Sequence, residues 1–295
     1  KNKNYVFFKL DLNNKNKITK ILKKYKPDGI FNLAAETHVD RSIDRPYNFI
    51  HSNILGTFSL LESILAYKKK IKLIHVSTDE VYGDLVKGKS DEKFPYNPSS
   101  PYSSSKASAD HLIKAYIRTY NLPAIISNCC NNYGPNQFPE KLIPLMIANC
   151  IDEKLLPVYG EGLNIRDWLY VKDHCDAIDI VLHQGIIGET YNIGGNNEVC
   201  NIDIVNIICT ILDELRPRPD GSSYAELINY VQDRPGHDFR YAIDASKIKN
   251  DLGWKPKEIF ETGIRKTIQW YLDNENWWRK IQSENYEQER LGLKS

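Results

Sequence analysis

The chain has 295 residues, of which 41% are hydrophobic and 26% charged, so it can bury the core of one large domain or of a domain with a smaller lobe. Its 39 lysine and arginine residues balance 38 aspartate and glutamate residues, leaving a net charge of +1. This balance provides no basic field that would attract nucleic acid, so we predict no nucleic-acid partner.

The first half of the chain alternates short apolar runs with amphipathic stretches. Strands are predicted at Val6–Leu10, Gly29–Leu33, Ile71–Val76 and Ala124–Ser127. Helices are predicted at Lys17–Lys26, Tyr47–Lys68 and Tyr102–Tyr120. Alternating strands and helices are typical of a parallel sheet with helices on both faces. We therefore predict an α/β fold with a Rossmann-like, doubly wound parallel sheet in residues 1–155.

The segments beyond residue 155 are shorter, with more Gly and Pro between them. Strands are predicted at Leu156–Tyr159, Asp167–Val171, Thr190–Ile193 and Leu227–Val231, and helices near Ile202–Leu215 and Phe260–Asn274. This pattern predicts that residues 156–295 form a smaller α+β lobe packed on the sheet.

The six cysteines, of which Cys129 and Cys130 are adjacent, lack the spacing of a metal site. Free thiols favour a reducing compartment, so we predict a cytoplasmic protein without a bound metal. No apolar run approaches the roughly 18 residues that cross a bilayer, which predicts no membrane partner.

Tyr102 and Lys106 are four residues apart at the start of a predicted helix, which places both side chains on one helix face. A lysine ammonium favours the phenolate of a nearby tyrosine and lowers its pKa, so Tyr102 could accept a proton from a substrate hydroxyl. A surface pair on an amphipathic helix has the same spacing. Taken alone, the four-residue pattern favours that simpler interpretation.

Thr78, Asp79 and Glu80 follow the predicted strand Ile71–Val76. Open α/β sheets bind ligands outside the carboxyl ends of their strands, so these residues would lie at the mouth of a site. Two adjacent carboxyls in different environments can serve as the acid and the base of an elimination. A turn with solvated acids is the alternative, and the short segment alone favours it.

Leu33 to Thr37 end another predicted strand, where the small Ala34 and Ala35 would let a flat ligand approach the backbone. Tight packing between a strand and a helix would explain the same residues. Asp11 ends the first predicted strand, where its carboxylate could meet the adenine of a dinucleotide or cap a helix.

Together these segments resemble the extended short-chain dehydrogenase/reductase superfamily and, more narrowly, the dTDP-glucose 4,6-dehydratases. The matching segments, in family order, are Leu33–Ile43, Ser77–Gly83, Tyr102–Lys106, Asn131–Pro135, Phe138–Pro144 and Asp233–His237. The Thr-Asp-Glu trio separates the dehydratases from the epimerases of the superfamily. The resemblance implies NAD as the cofactor, bound mainly by residues 1–155, and a nucleotide-diphosphate hexose as the substrate, bound mainly by residues 156–295.

The resemblance also implies a lyase reaction in three steps. Tyr102 would take a proton while a hydride passes from C4 of the glucose to NAD, with Thr78 on the C4 oxygen and Lys106 beside Tyr102. Glu80 would then remove the C5 proton while Asp79 protonates the departing C6 hydroxyl. Return of the hydride to C6 would give dTDP-4-keto-6-deoxyglucose and water.

Two sets of binding residues follow from the same resemblance. The implied cofactor set is Asp11, Leu12, Leu33, Ala34, Ala35, Glu36, Thr37, Ser52, Tyr102, Lys106 and Asn132. The implied substrate set is Thr37, Thr78, Asn131, Lys141, Leu142, Pro157, Val158, Tyr159, Arg166, Asn201, Asp233, Arg234, Pro235, Gly236 and His237. Guanidinium groups suit a pyrophosphate, which fits Arg166 and Arg234, although a single arginine more often forms a surface ion pair.

The chain departs from the family at its start. Family members open with a strand and a Gly-x-x-Gly-x-x-Gly turn whose amides hold the NAD pyrophosphate, and the 295 residues contain no such motif. We therefore expect an N-terminally truncated member in which the first β-α units are missing. On this interpretation the chain by itself binds NAD poorly and is inactive, and the full-length protein is the enzyme.

Two other functions stay open. A UDP-glucose 4,6-dehydratase, or another NAD-dependent sugar-nucleotide epimerase or dehydratase, would share most of these motifs, although Asp233–His237 favours dTDP. A non-catalytic binding protein on the same fold would account for the missing glycine turn. The resemblance further implies a homodimer that pairs through helices within Tyr47–Lys68 and Tyr102–Tyr120.

Overall fold

Four parallel strands form the central sheet of the protein, and the computed structural model describes residues 3–285. The strands are β1 (Gly29–Asn32), β2 (Lys72–Thr78), β3 (Ala124–Cys129) and β7 (Thr190–Ile193), in the order β1-β2-β3-β7. Their side chains alternate between two hydrophobic clusters, with Leu73 and Ala124 in one and Ile74 and Ile125 in the other. The sheet is therefore buried on both faces, as parallel sheets usually are.

Helices cover each face of this sheet. One face carries α1 (Lys15–Tyr25), α4 (Gly56–Tyr67) and α5 (Pro101–Tyr120), and the other carries α7 (Val171–Gln184) and α9 (Ser246–Leu252). This arrangement confirms the predicted α/β, Rossmann-like fold class.

A continuous helical segment, Pro46–Tyr67, leads from the first strand to the second. It begins as α3 (Pro46–Phe49), continues as a π-helix (Ile50–Leu55) and ends in α4, and the short α2 (Val39–Asp44) precedes it. With a mean hydropathy of 1.2, the segment is long and apolar enough to cross a membrane, but 44% of that stretch is buried. It packs against α1 and α5, as the core helix of a folded domain does.

The remaining strands form two smaller sheets, β4-β6-β8 and β5-β9. Their bounds are β4 (Asn131–Tyr133), β5 (Leu156–Tyr159), β6 (Ile165–Tyr170), β8 (Glu198–Cys200) and β9 (Ile228–Val231). They pack with α6 (Leu142–Ile151), α8 (Asn201–Leu215), α10 (Phe260–Asp273) and α11 (Glu275–Asn285). An aromatic core that includes Tyr133, Trp168 and Tyr271 holds this lobe together.

The chain crosses between the two parts more than once. Only Cys130 separates β3 of the central sheet from β4 of the lobe, and α7 later carries the chain back to β7 beside β3. Strand β7 thus lies in the central sheet although it follows residue 155. The division of the chain into residues 1–155 and 156–295 stays a prediction.

One predicted strand is wrong. Residues 6–10 form no strand, and the side chains of Tyr5 and Phe7 are about seven-tenths exposed. A strand requires a neighbour that supplies ladder hydrogen bonds, and among the described residues none pairs with this segment. Phe8 instead packs edge-on against Tyr25 of α1, with ring centroids 5.6 Å apart.

Candidate active site

The end of β2 carries three of the predicted catalytic residues. Thr78 is the last residue of β2, and Asp79 and Glu80 open a single 3-10 turn, Asp79–Tyr82. The Thr78 hydroxyl accepts the Glu80 N–H at 3.3 Å and so caps this turn. Asp79 is buried, and its Oδ2 has no hydrogen-bond partner among the described residues.

Helix α5 directs Tyr102 and Lys106 towards the end of β2. Both are buried in the first two turns of the helix, four residues apart as the sequence predicts. Lys106 Nζ donates to the Val76 carbonyl at 2.8 Å, and the Tyr102 phenol lies beside the Thr78 side chain. The structure therefore brings Tyr102 and Lys106 next to the Thr-Asp-Glu segment.

The two adjacent carboxyls differ in acidity. Burial raises the pKa of Asp79 well above its usual value, and the charges of Glu80 and Asp167 raise it further. Burial also raises the pKa of Glu80, but the nearby guanidinium groups of Arg234 and Arg166 oppose the rise. Asp79 thus favours its protonated form, and Glu80 is the better proton acceptor of the two.

Tyr102 does not have the lowered pKa that the sequence predicts. Burial and the charge of Glu80 raise the pKa of Tyr102 well above its usual value, whereas the neighbouring Thr78 side chain lowers it. Burial also lowers the pKa of Lys106, against the opposing charge of Asp110. The prediction is wrong because burial disfavours the charged forms of both groups.

A polar cleft opens where the carboxyl edge of the sheet meets the lobe. Glu80 lines it from the end of β2, Arg166 from β6 and Arg234 from the loop after β9. Lys141 also lines it and donates to the Thr37 carbonyl at 2.6 Å. The cleft therefore presents three cations next to a proton-accepting carboxyl.

The two arginines are held in place by different partners. Arg166 donates to the Asp238 carbonyl at 2.8 Å and stacks on the Tyr241 ring, 4.3 Å from its centroid. Arg234 pairs with Asp40 at 2.6 Å, and the Tyr159 hydroxyl donates to the same carboxylate at 2.8 Å. The Nε of Arg234 is buried without a hydrogen-bond partner among the described residues.

Most of the predicted substrate residues line this cleft. They are Thr37, Asn131, Lys141, Leu142, Pro157, Val158, Tyr159, Arg166, Asn201, Arg234 and His237. Thr78, Asp233, Pro235 and Gly236 are not among the lining residues. Thr78 lies beside Tyr102, whereas Asp233 supports the cleft because its carboxylate bonds the Arg234 N–H and His237 Nδ1, each at 2.7 Å.

The predicted cofactor residues Leu33–Thr37 follow β1 at the carboxyl edge of the central sheet. Ala34 is exposed just after β1, and Asn53 holds the loop that follows through the N–H and carbonyl of Glu36, at 2.8 and 3.0 Å. Asn13 connects the Asp11–Leu12 segment to the π-helix by donating to the His51 carbonyl at 3.2 Å, next to Ser52. The Oδ1 of Asn132 is buried without a partner among the described residues.

Several cleft residues were missed by the sequence reasoning. The lining residues outside the predicted set are His38, Val39, Asp40, Glu80, Glu140, Leu145, Met146, Trp168, Val205 and Tyr241, of which only Glu80 was predicted as catalytic. Asp40 lies inside the matching segment Leu33–Ile43, and this position in a family motif could have identified it as a site residue. Nothing in the sequence near Tyr241 indicates that it stacks on Arg166.

A parallel sheet with helices on both faces and a polar cleft at the carboxyl ends of its strands defines a Rossmann-like α/β protein with a candidate ligand site. The model of the GDP-mannose 4,6 dehydratase family matches residues 1–267. A dTDP-glucose 4,6-dehydratase of Neisseria meningitidis serogroup B is 54% identical over 305 residues, covering 99% of this chain and 85% of the relative.

Solved structures agree with this match. The dTDP-glucose 4,6-dehydratase of Bacillus anthracis, in complex with NAD, is 48% identical with a TM-score of 0.84, covering 95% of this chain and 84% of that one. The Streptomyces venezuelae enzyme of the same name, with NAD bound, is 41% identical with a TM-score of 0.85, covering 92% of this chain and 81% of that one. The chain belongs to the dTDP-glucose 4,6-dehydratase family.

Proposed function

We propose that the protein is an NAD-dependent hydro-lyase that converts dTDP-glucose to dTDP-4-keto-6-deoxyglucose and water. Membership of the family supports the overall reaction. The observation that carries the proposal is the pair of adjacent carboxyls, Asp79 and Glu80, with different acidities beside Tyr102 and beside the arginines of the cleft.

The residues at the carboxyl edge of the sheet fit NAD. The exposed Ala34 leaves room at the end of β1 for a flat group, and the unpartnered Oδ1 of Asn132 can accept a hydrogen bond from an amide. The residues that would hold the cofactor are Asp11, Leu12, Leu33, Ala34, Ala35, Glu36, Thr37, Ser52, Tyr102, Lys106 and Asn132. When bound, NAD supplies a temporary acceptor for the hydride of the sugar.

Tyr102 is the proposed base for oxidation at C4 of the glucose. The Thr78 side chain beside it indicates how the C4 oxygen would be held between two hydroxyl groups. Lys106 lies on the same helix face, fixed by the Val76 carbonyl. Burial raises the pKa of Tyr102, and the ammonium of Lys106 would offset part of that rise because a positive charge favours the phenolate. Oxidation gives a ketone that acidifies the proton on C5.

Glu80 and Asp79 are the proposed base and acid of the elimination. Glu80 lines the cleft, where it can reach the C5 proton of a bound sugar. The buried Asp79 favours its protonated form and can donate that proton to the leaving C6 hydroxyl. Two carboxyls with separated acidities are what this step requires, because one must gain a proton as the other loses one.

The cleft is the proposed site of the nucleotide diphosphate. Arg166 and Arg234 would bind the diphosphate, since guanidinium groups pair well with phosphate oxygens. Tyr159 would lie over the base, beside Pro157 and Val158 of the same strand. The remaining proposed contacts are Thr37, Thr78, Asn131, Lys141, Leu142, Asn201 and Asp233–His237.

Turnover of two substrates tests this proposal. The protein is incubated with NAD and either dTDP-glucose or UDP-glucose, and the keto sugar is measured by its alkali-dependent ultraviolet absorbance. We expect keto product from dTDP-glucose and much less from UDP-glucose. Preferred turnover of UDP-glucose would support the UDP-specific alternative, and no turnover of either would support a non-catalytic binding protein.

We also propose that the protein is a cytoplasmic homodimer. The six cysteines are free thiols, which supports a reducing compartment. The helical segment Pro46–Tyr67 leaves Tyr47, Ile50 and Phe58 more than two-fifths exposed, and exposed apolar side chains on one helix favour a protein interface.

A further inference from the structure

Asp167 is a buried carboxyl for which the proposed reaction has no use. It is 2% exposed on β6, next to the cleft residue Arg166. Both of its oxygens accept backbone N–H groups, Oδ1 from Asn197 at 2.7 Å and Oδ2 from Gly195 at 3.0 Å. Burial raises the pKa of Asp167, and these backbone donors oppose the rise because they favour the ionised form of the carboxyl.

The strand registers place Asp167 and Asp79 on opposite sides of Cys130. The paired residues are Thr78 with Cys129 between β2 and β3, and Asn131 with Trp168 between β4 and β6. Cys130 follows the first pair, so it lies beside Asp79, and it precedes the second pair, so it lies beside Asp167. Because neighbouring strands are about 4.8 Å apart, this order places the backbones of Asp79 and Asp167 roughly 10 Å apart.

The group between them is a small buried thiol. Cys130 is 3% exposed, and its side chain is hydrogen-bonded to Asp167. Burial and the charge of Asp167 raise the pKa of this thiol well above its usual value. Cys130 therefore stays neutral.

We propose that Asp167 is a positioning residue whose fixed negative charge keeps Asp79 protonated before each turnover. This inference rests on the proposed function, in which Asp79 protonates the leaving C6 hydroxyl. In this proposal Asp167 does not contact the substrate and acts only through Asp79.

Charged and titratable groups face Asp79 from each element around it. They are Glu80 from the same turn, Arg166 and Asp167 from β6, Tyr102 from α5, and Cys129 and Cys130 from the end of β3. Arg166 lowers the pKa of Asp79, and Glu80 and Asp167 raise it. Asp167 therefore offsets the guanidinium that the cleft needs for binding an anion.

Glu80 and Asp167 differ in what happens to their charges during the elimination. Glu80 becomes neutral as it takes the C5 proton, so its effect on Asp79 disappears and Asp79 becomes a stronger acid as it donates. Asp167 takes no part in proton transfer, so its charge is constant. It then favours the return of a proton to Asp79 for the next turnover.

The pH dependence of turnover tests the role of Asp167. Asp79 acts in its protonated form, so activity falls as pH rises through its pKa. Asp167→Asn removes a negative charge and lowers that pKa, so the alkaline limb of kcat should move about one unit to lower pH, with activity retained below it. An alkaline limb that stays in place, with activity reduced equally at every pH, would contradict the proposal.

Asp173→Asn is the matched control. Asp173 on α7 is also buried and accepts two backbone N–H groups, from Lys257 at 3.0 Å and Glu258 at 2.9 Å, but it lies outside the cleft and holds the segment before α10. Asp173→Asn should lower the stability of the protein as Asp167→Asn does, because each substitution disturbs a buried carboxylate that accepts backbone N–H groups. It should leave the alkaline limb of kcat in place. A similar shift in both variants would mean that the effect is structural and would overturn the proposal.

A second measurement does not depend on whether Asp167→Asn folds or on turnover. Infrared spectra of protein with isotope-labelled aspartate are compared between the wild type and Asp79→Asn at about pH 8. Asp110, whose buried carboxyl has a pKa raised to about 6, is ionised there. We expect one protonated carboxyl band that disappears in Asp79→Asn, and a band that persists would mean that Asp167 is protonated and would overturn the inference.

Failure of the inference and failure of the proposed function are distinguishable. A wild-type protein without turnover would contradict the proposed function, while the infrared measurement would still report the protonation of Asp79 and Asp167. An active wild type with an unmoved limb in Asp167→Asn would contradict the inference alone.

Discussion

Asp79 and Glu80 are neighbours in the chain, but different groups surround their side chains. Asp79 is enclosed beside Glu80 and Asp167, and burial is the largest cause of its raised pKa. Glu80 lines the cleft, where burial raises its pKa and nearby guanidinium groups limit that rise. The sequence could show two adjacent acids at a strand end, but their separate environments depend on residues more than 80 positions away.

Glu80→Gln tests the proposed base of the elimination. Glutamine keeps the shape of the side chain but cannot accept the C5 proton, so we expect oxidation at C4 to persist and formation of the product to fall by at least about a hundredfold. The measurement is the rate of keto-sugar formation together with exchange of the C5 proton with deuterated water. Normal turnover would show that another group is the base.

Glu92→Gln provides the control for this substitution. Glu92 is a partly buried glutamate outside the cleft that accepts the Asn192 N–H at 2.8 Å, and burial raises its pKa as well. A glutamine oxygen can accept the same hydrogen bond, so turnover should remain near that of the wild type.

Residues that lie within a motif could be predicted, and residues that depend on distant contacts could not. The positions of Tyr102, Lys106, Asp79 and Glu80 follow from a strand end and a helix start, which local sequence indicates. Asp40 pairs with Arg234 across 194 positions of the chain, and only the folded structure joins them.

At the scale of elements, the turn after β2 determines where the carboxyls lie. Gly83 ends this turn with a φ of +78°, and a Cβ there would overlap the Asn97 carbonyl oxygen. Gly83→Ala should therefore destabilise the protein by about 1–3 kcal/mol, measured as a lower Tm or a lower free energy of unfolding in urea.

Gly88→Ala separates the two causes of this loss. Gly88 has the same φ of +78°, but no atom lies within 4 Å of its added Cβ. Gly88→Ala should therefore lose less stability than Gly83→Ala, because only the cost of an alanine in the left-handed backbone conformation applies. Equal losses in both variants would show that the contact with Asn97 contributes nothing.

The same scale explains why several elements were predicted correctly and one predicted strand was wrong. In strands β2 and β3 and helix α5, most of the residues that form the local apolar pattern are also buried in the structure. The run Val6–Leu10 has the pattern of a strand, but no described strand pairs with it. An apolar run becomes a strand only with a partner, and a single sequence does not show the partner.

At the scale of the whole molecule, the proposed homodimer would bury the exposed apolar face of the helical segment Pro46–Tyr67 against the partner subunit. Phe58→Glu places a charge on that face of α4, so we expect a dimer for the wild type and a monomer for the variant in analytical ultracentrifugation. Ile187→Glu, at another exposed apolar residue in the loop before β7, should leave the dimer intact. A wild type that sediments as a monomer would contradict the proposal.

The cleft belongs to the whole molecule, because the sheet and the lobe each supply part of it. Glu80 comes from the sheet, Arg166 from β6 and Arg234 from the loop after β9, and the chain crosses between the two parts before and after β6. The alternation of strands and helices predicted the sheet. The resemblance of the motifs to a known family, rather than periodicity, predicted which residues of the lobe would face it.

The account requires that one site removes a hydride from C4 of the sugar and delivers it to C6. The most direct test supplies the protein with NAD and dTDP-glucose that carries deuterium at C4, and locates the label in the product by NMR spectroscopy. We predict that the deuterium appears in the C6 methyl group of a 4-keto sugar. Deuterium that remains at C4 in the recovered sugar, with or without inversion there, would contradict the dehydratase mechanism.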